Sequence, residues 1–326
     1  MKKKINYVIS IIVLIAIVNP IFASEWHMPR KNQERTGVVN DHELETPLSR
    51  KWSYNAGWSI SSPLVAGSFI YHLADAHVYK IPVSVEGNNG ILSHNKTQKV
   101  KVSGAIHTGS DPTYDSRNNL LFIGSGDKSL VMVNSNDLSI KDVVNTEVRL
   151  VSAPHLLSNN TVAYASATER DGSSSKNAMI YIVKYDPNFI EKPKFKDYQF
   201  DQLMNNSNAE ITGTFADMGG DRFLVPYNIK GKDDRGYVVA WQAHTSGVGP
   251  PSLSPLWYRD TKVGVSTTPV YDKSRDRVYY VDKRGNVYAV NASNGAPLIP
   301  GKDGIIYPNN LGSTLSNNSP AYIRTS

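Results

Sequence analysis

The chain has 326 residues, 40% of them hydrophobic, with 35 basic against 29 acidic side chains, a formal charge of +6 and no cysteine. The lack of thiols excludes disulfide staples, thiolate catalysis, zinc–cysteine sites and a lipid anchor carried on cysteine. Lys2, Lys3 and Lys4 supply three of the six positive charges, and the other basic residues are scattered singly or in short pairs, which leaves no electrostatic footprint for a nucleic-acid partner.

The amino terminus reads first. Met1 to Lys4 form a basic head, Ile5 to Val18 are uncharged and mostly apolar, Pro20 interrupts the run, and Ala23 offers a small residue for cleavage. That order is the form of a secretory signal peptide. The expected organisation is therefore a signal peptide over 1–23 and a folded domain over 24–326, with no stable membrane anchor after cleavage. A retained anchor is the competing reading, and the apolar run is short of the roughly 20 residues that a membrane span needs.

Beyond it the chain repeats with a period near 50 residues. The first unit opens at Ser61-Ser62-Pro63, runs through Leu64 to Gly67 and Phe69 to Tyr71, reverses at Asp75 to His77 and continues along Val78 to Val83. The second starts at Asp111-Pro112 and continues through Leu120 to Ile123 and Leu130 to Asn134. The third starts at Ala153-Pro154, passes Val162 to Ala165, carries an insertion from Glu169 to Asn177 and resumes at Ile180 to Tyr185. From Tyr185 to Asn208 the pattern lapses, and this stretch is expected to be a long surface connection. A fourth unit lacks the leading proline but keeps Phe215 to Asp217, Arg222 to Pro226 and Gly236 to Trp241. The fifth is the clearest: a strand after Pro269, a turn over Asp272 to Asp276, a strand over Arg277 to Val281, a Lys283-Arg284-Gly285-Asn286 turn, and a strand over Val287 to Asn291. Ser319-Pro320-Ala321-Tyr322 then reads as the opening of a sixth.

Steps between leading prolines are 49, 42 and 51 residues, and the 115-residue gap from Pro154 to Pro269 holds the unit without one. Short β-branched and aromatic runs punctuated by Gly, Asn and Asp, with no helical period, predict an all-β fold of repeated four-stranded antiparallel blades, a β-propeller. About five blades are recognisable, plus the start of another, and the expectation is an incomplete ring belonging to a fragment. Trp52 and Trp257 stand 11 and 12 residues before a leading proline. They are expected on outer strands as wedges between adjacent blades.

The segment Ala289-Val290-Asn291-Ala292-Ser293-Asn294-Gly295 resembles the Ala-x-Asp-x-x-(Thr or Asn)-Gly stretch that closes the third strand in the pyrroloquinoline-quinone-like repeat family. Trp26 to Gly37 is similar to the mature amino terminus of many of its members. The resemblance spans most of 26–323 and implies a quinoprotein-type propeller. Within that family, dehydrogenases hold the quinone with calcium in a central funnel, commonly against a cysteine pair that this chain lacks. Others are noncatalytic envelope scaffolds, such as the propeller subunit of the outer-membrane barrel-assembly machinery. That subunit is normally lipid-anchored, which a chain without cysteine cannot be.

No residue pattern marks a catalytic centre. Among the eight histidines, His72 and His77 flank one hairpin, and the bland reading, two surface turn residues, outweighs a metal pair because metal sites want three or four convergent ligands. Asp233 to Gly236 and Asp282 to Gly285 fall where hairpin turns are required. Asn95, Asn159, Asn205, Asn291 and Asn317 match the glycan acceptor pattern by coincidence. No phosphate loop, dinucleotide fingerprint or serine elbow is present. The expected function is an exported binding or scaffold propeller, periplasmic or extracellular, with no cofactor, no metal and no assigned catalytic residue. It would engage a protein or polymer partner at the cell envelope through Glu169 to Asn177 and Tyr185 to Asn208. The alternative is a pyrroloquinoline-quinone-dependent oxidoreductase with its cofactor in the funnel.

Overall fold

Prolines decide where each unit begins. In four units the first strand starts on the residue after one, at Pro63, Pro112, Pro154 and Pro269. Proline has no amide to give to a ladder, so it is tolerated where a strand starts or lies at a sheet edge. The computed structural model describes residues 53–307 except 57–60, 84–96, 103–110, 147–151, 167–168, 172–173, 177, 190–193, 200–208, 212, 230–234, 266, 300 and 302. The expected signal peptide, Trp52 and the strand expected at Pro320 all fall outside the described residues.

Blade 1 is the antiparallel meander β1 (Leu64–Ala66), β2 (Phe69–Ala74), β3 (His77–Pro82) and β4 (Gln98–Lys101). Blade 2 has β5 (Thr113–Asp115), β6 (Leu120–Ser125), β7 (Ser129–Asn134) and β8 (Ile140–Asn145) in the same order. Blade 3 consists of β9 (His155–Leu157), β10 (Thr161–Ala165), β13 (Met179–Lys184) and β14 (Lys194–Gln199), and between β10 and β13 stands a separate hairpin, β11 (Glu169–Asp171) and β12 (Ser174–Lys176). In blade 4 both β15 (Ala209–Ile211) and β16 (Ala216–Gly219) pair with the long β17 (Arg222–Ile229), followed by β18 (Arg235–His244) and β19 (Ser252–Asp260). Blade 5 has β20 (Val270–Asp272), β21 (Arg277–Val281), β22 (Val287–Asn291) and β23 (Ile305–Tyr307).

The middle strands explain why the sequence shows apolar runs rather than alternation. β6 and β10 are buried at every residue, and β7 and β13 at all but the last. Both faces of such a strand are covered, one by each neighbouring blade. Leu121, Ile123, Val131 and Val133 pack with Leu64, Tyr71 and Val78 of blade 1, whereas Leu120, Phe122, Leu130 and Met132 pack with Val162, Tyr164 and Tyr181 of blade 3. The same alternation joins blade 3 to blade 4 through Ile180, Ile182, Phe223 and Val225, and blade 4 to blade 5 through Leu224, Val238, Tyr280 and Tyr288. A four-stranded sheet cannot bury two faces by itself, so stacking around an axis supplies the core.

Polar side chains cross the same boundaries. The Tyr71 hydroxyl donates to the Ser135 carbonyl at 3.0 Å, Lys80 to that of Asn136 at 2.7 Å, and Thr113 to that of Pro154 at 2.6 Å. Asn228 imitates a strand between blades 4 and 5, accepting from the Val265 amide at 2.6 Å and donating to its carbonyl at 3.0 Å.

Trp257 is the wedge expected from its spacing. It lies on β19, the outer strand of blade 4, and donates its indole N–H to the Ala292 carbonyl of blade 5 at 2.8 Å. Its ring covers Gly295, where an added Cβ would come within 2.7 Å of the indole and where φ is +70°. The closing segment of blade 5 is therefore the seat of that indole.

Two expectations need correction. Tyr185 to Asn208 is not one surface connection: Lys194–Gln199 pairs with β13 as the outer strand of blade 3, and Tyr185 is buried. Its alternating Lys and Phe have the two-residue period of a strand. His72 and His77 are not turn residues either. The turn is Asp75 and Ala76, with φ of 45° and 63°, and the histidines stand in β2 and β3 opposite Tyr79 and Ala74.

Candidate functional site

In an up-and-down meander the reversals fall alternately on two faces of the disc. One face holds the turns between first and second and between third and fourth strands. The other holds the turns between second and third strands together with the connections between blades. On that second face the reversal is Asp75–Ala76 in blade 1, Gly126–Lys128 in blade 2 and Asp282–Asn286 in blade 5. Blade 3 instead extends into β11 and β12, which form a two-stranded sheet of their own with Glu169 opposite Lys176, Arg170 opposite Ser175 and Asp171 opposite Ser174.

The root of this hairpin is fixed by buried serines. The Ser166 amide donates to the Met179 carbonyl at 2.9 Å and its hydroxyl oxygen accepts from the Met179 amide at 2.9 Å. Ser152 Oγ accepts from the Ala165 amide at 2.7 Å, and the Ala178 amide reaches the Ala209 carbonyl of blade 4 at 3.3 Å. Ser152 and Ser166 are fully buried. A polar hairpin thus rises from an anchored base on a rigid scaffold, the arrangement in which binding loops are commonly placed.

Below it, on the innermost strands, lies a pair that sequence reading missed. His155 opens β9 fully buried, with Nε2 3.7 Å from Asp217 Oδ1 of β16 and with the rings of Phe223 and Phe215 at 5.6 and 6.2 Å. Burial pushes the Asp217 carboxyl up, but His155 and the Gly219 and Met218 amides outweigh it and leave it below the usual carboxylate range. The His155 side chain is fully buried and that of Asp217 is 14% exposed, so the pair joins blades 3 and 4 close to the axis. Among the described residues no group of three or more His, Asp or Glu could hold a metal ion.

The opposite face carries carboxylate locks. Asp115, in the first turn of blade 2, accepts from the Tyr185 hydroxyl of blade 3 at 2.6 Å, from Asn118 Nδ2 at 2.7 Å and from the Arg117 amide at 3.0 Å. Burial raises its carboxyl, and these donors together lower it below its ordinary value. Asp221 of blade 4 receives the Ser158 amide at 2.7 Å, the Thr245 hydroxyl at 2.9 Å, and the Ser158 hydroxyl. The turns at Arg117 to Asn119 and Asn159–Asn160 were visible in the sequence, but their inter-blade partners were not.

The remaining residues singled out in the sequence occupy structural positions. His77 Nδ1 donates to the Asp75 carbonyl at 2.6 Å, and burial lowers the pKa of His72. Asp282 closes its turn by accepting from the Arg284 and Asn286 amides at 2.8 and 2.9 Å. Gly236 is required by packing, since a Cβ there would collide with the Val263 carbonyl and Val265 amide. Asn159 donates to Thr245 Oγ1 at 3.0 Å and Asn291 accepts from the Ser293 amide at 2.9 Å. Asp233, Asp234, Asn95, Asn205 and Asn317 lie outside the described residues.

Blades of this order and packing define an all-β propeller. The fold is similar to europium-containing methanol dehydrogenase, with a TM-score of 0.56 and 13% identity over 84% of this chain and 57% of that one. It is equally similar to the quinohemoprotein alcohol dehydrogenase of Comamonas testosteroni, with a TM-score of 0.56 and 13% identity over 92% and 53% of the two chains. BamB from Moraxella catarrhalis aligns with a TM-score of 0.48 and 14% identity, over 81% of this chain and 64% of that one. The chain thus spans less than two thirds of each of these structures, and the likeness is one of fold. No protein-family model and no curated protein matches the chain.

Proposed function

We propose that the chain is an exported propeller that binds a protein or polymer partner at the cell envelope, using the face that bears β11 and β12, and that it performs no catalysis. The observation that carries this reading is the hairpin itself: an addition that belongs to no blade sheet and yet rises from a buried, hydrogen-bonded base. Its charged and serine-rich sequence suits contact with another polar surface. Export, with residues 1–23 as the removed signal and 24–326 as the propeller domain, is supported by the basic head and apolar run of the amino terminus. The turn between β13 and β14 lies on the face opposite the hairpin, whereas residues 200–208, which join blade 3 to blade 4, lie outside the described residues, so the proposed site is β11 and β12.

Replacing 169–177 by an Asp-Ala turn like that of blade 1 is expected to abolish capture of a partner from envelope extract while leaving the unfolding temperature within a few degrees. Undiminished capture would overturn this choice of face. Incubating the purified chain with pyrroloquinoline quinone, calcium and a redox dye is expected to leave the dye unreduced. Alcohol-dependent reduction of the dye would replace the scaffold reading with the oxidoreductase one.

A further inference from the structure

We propose that the free edge of β12 takes an extended segment of a protein partner as a third strand. This rests on the reading of the hairpin as the partner-binding element and specifies the chemistry of what it binds.

The register fixes which backbone groups are available. Asp171 and Ser174 face each other across two intervening positions, so they form the hydrogen-bonded pair that closes a two-residue hairpin. Pair types alternate along an antiparallel ladder. Arg170 and Ser175, opposite each other at the next position, are then a non-hydrogen-bonded pair. The amide and carbonyl of Ser175 accordingly point away from β11, and those of Arg170 away from β12. Among the described residues no strand pairs with either outer edge. A solitary two-stranded hairpin is marginal in water, and a third strand is what stabilises it.

Charge selects the edge. β11 reads Glu169-Arg170-Asp171, a charge at every position, whereas β12 offers Ser174 and Ser175 before Lys176. Charged side chains discourage pairing at exposed edges, and β12 carries one of them against three on β11. An outward amide and carbonyl on one strand residue match another backbone at strand spacing, which is the basis of recognition by strand addition. Lys176 at the end of β12 favours a segment with an acidic residue opposite it.

A phage-displayed library of linear nine-residue peptides, panned on the full chain, supplies the probe. Recovered peptides should bind Ser175→Pro about tenfold or more weakly, the equivalent of one lost hydrogen bond. They should bind Ser175→Ala, which keeps the backbone amide, and Arg170→Pro, the same lesion on the other edge, as they bind the parent chain. Failure to recover any peptide, indifference to Ser175→Pro, or an equal loss with Ser175→Ala or Arg170→Pro would each overturn strand addition at β12. If exchanging the hairpin abolishes capture from envelope extract but Ser175→Pro leaves it intact, strand addition falls while the partner-binding reading stands.

Discussion

Substituting Trp257 by alanine is expected to destabilise the protein by about 3–5 kcal/mol, the usual cost of emptying a buried aromatic site. The indole is 8% exposed, packs among Ala240, Tyr280 and Tyr288, and is hydrogen-bonded to the Ala292 carbonyl. Its loss leaves a cavity at the boundary of blades 4 and 5 and strips that carbonyl of its donor. Trp257→Phe should cost less, because the ring is partly replaced and only the hydrogen bond disappears. Gly295→Val should approach the alanine result from the other side, since its Cβ would strike the indole and φ of +70° disfavours a branched residue. Combining Gly295→Val with Trp257→Ala should give less than the sum, because the two residues form one contact. Urea unfolding followed by circular dichroism reads all four. A cost below about 1 kcal/mol for Trp257→Ala would mean that the indole is not a wedge.

Asp115→Ala should cost about 3 kcal/mol, because it orphans buried donors rather than merely deleting a hydrogen bond. The Asp115 side chain is 2% exposed, and Tyr185, itself buried, loses the acceptor for its hydroxyl. Asp115→Asn keeps the shape and should cost less. The pH dependence follows from the direction of the shift. Asp115 and Asp217 both have lowered carboxyl values in the fold. Their contribution is then complete above the ordinary carboxylate value of about 4 and is lost as pH falls through their lower folded values. Acid unfolding curves of the parent chain should therefore steepen below about pH 4, and Asp115→Asn should flatten that slope. An identical slope in the variant would remove Asp115 from the account.

The repeat was legible because three of the four strands in each blade are distinctive. Leading prolines, the apolar runs of middle strands such as Leu120 to Ile123, and turns such as Asp272 to Asp276 each reflect a local backbone requirement. The outer strands were harder to read. β4, Gln-Lys-Val-Lys, and β8, with four of six residues exposed, need little hydrophobic pattern, so only the outer strands marked by Trp52 and Trp257 are legible. β14 follows Pro187 and Pro193, which read locally as an irregular connection. Inter-blade polar links escaped entirely: Asp115 with Tyr185 and His155 with Asp217 are separated by 70 and 62 positions, and nothing local announces such a partner. The hairpin was recognised as an insertion because it interrupts the period, but its strand pairing was not, since Glu-Arg-Asp and Ser-Ser-Lys have little intrinsic strand preference.

The central claim is that successive blades pack face to face in chain order, each closing the core of the one before. A chain without cysteine allows a direct test by engineered cross-links. Thr214 and Thr268, at the starts of blades 4 and 5, have hydroxyl oxygens 3.2 Å apart, and Ser158 and Thr245, of blades 3 and 4, have theirs 2.8 Å apart. Thr214→Cys with Thr268→Cys, and Ser158→Cys with Thr245→Cys, should each oxidise to an intramolecular disulfide without loss of the native circular dichroism, as titration of free thiols would show. Thiols that stay free in both folded double variants would contradict the radial order of the blades.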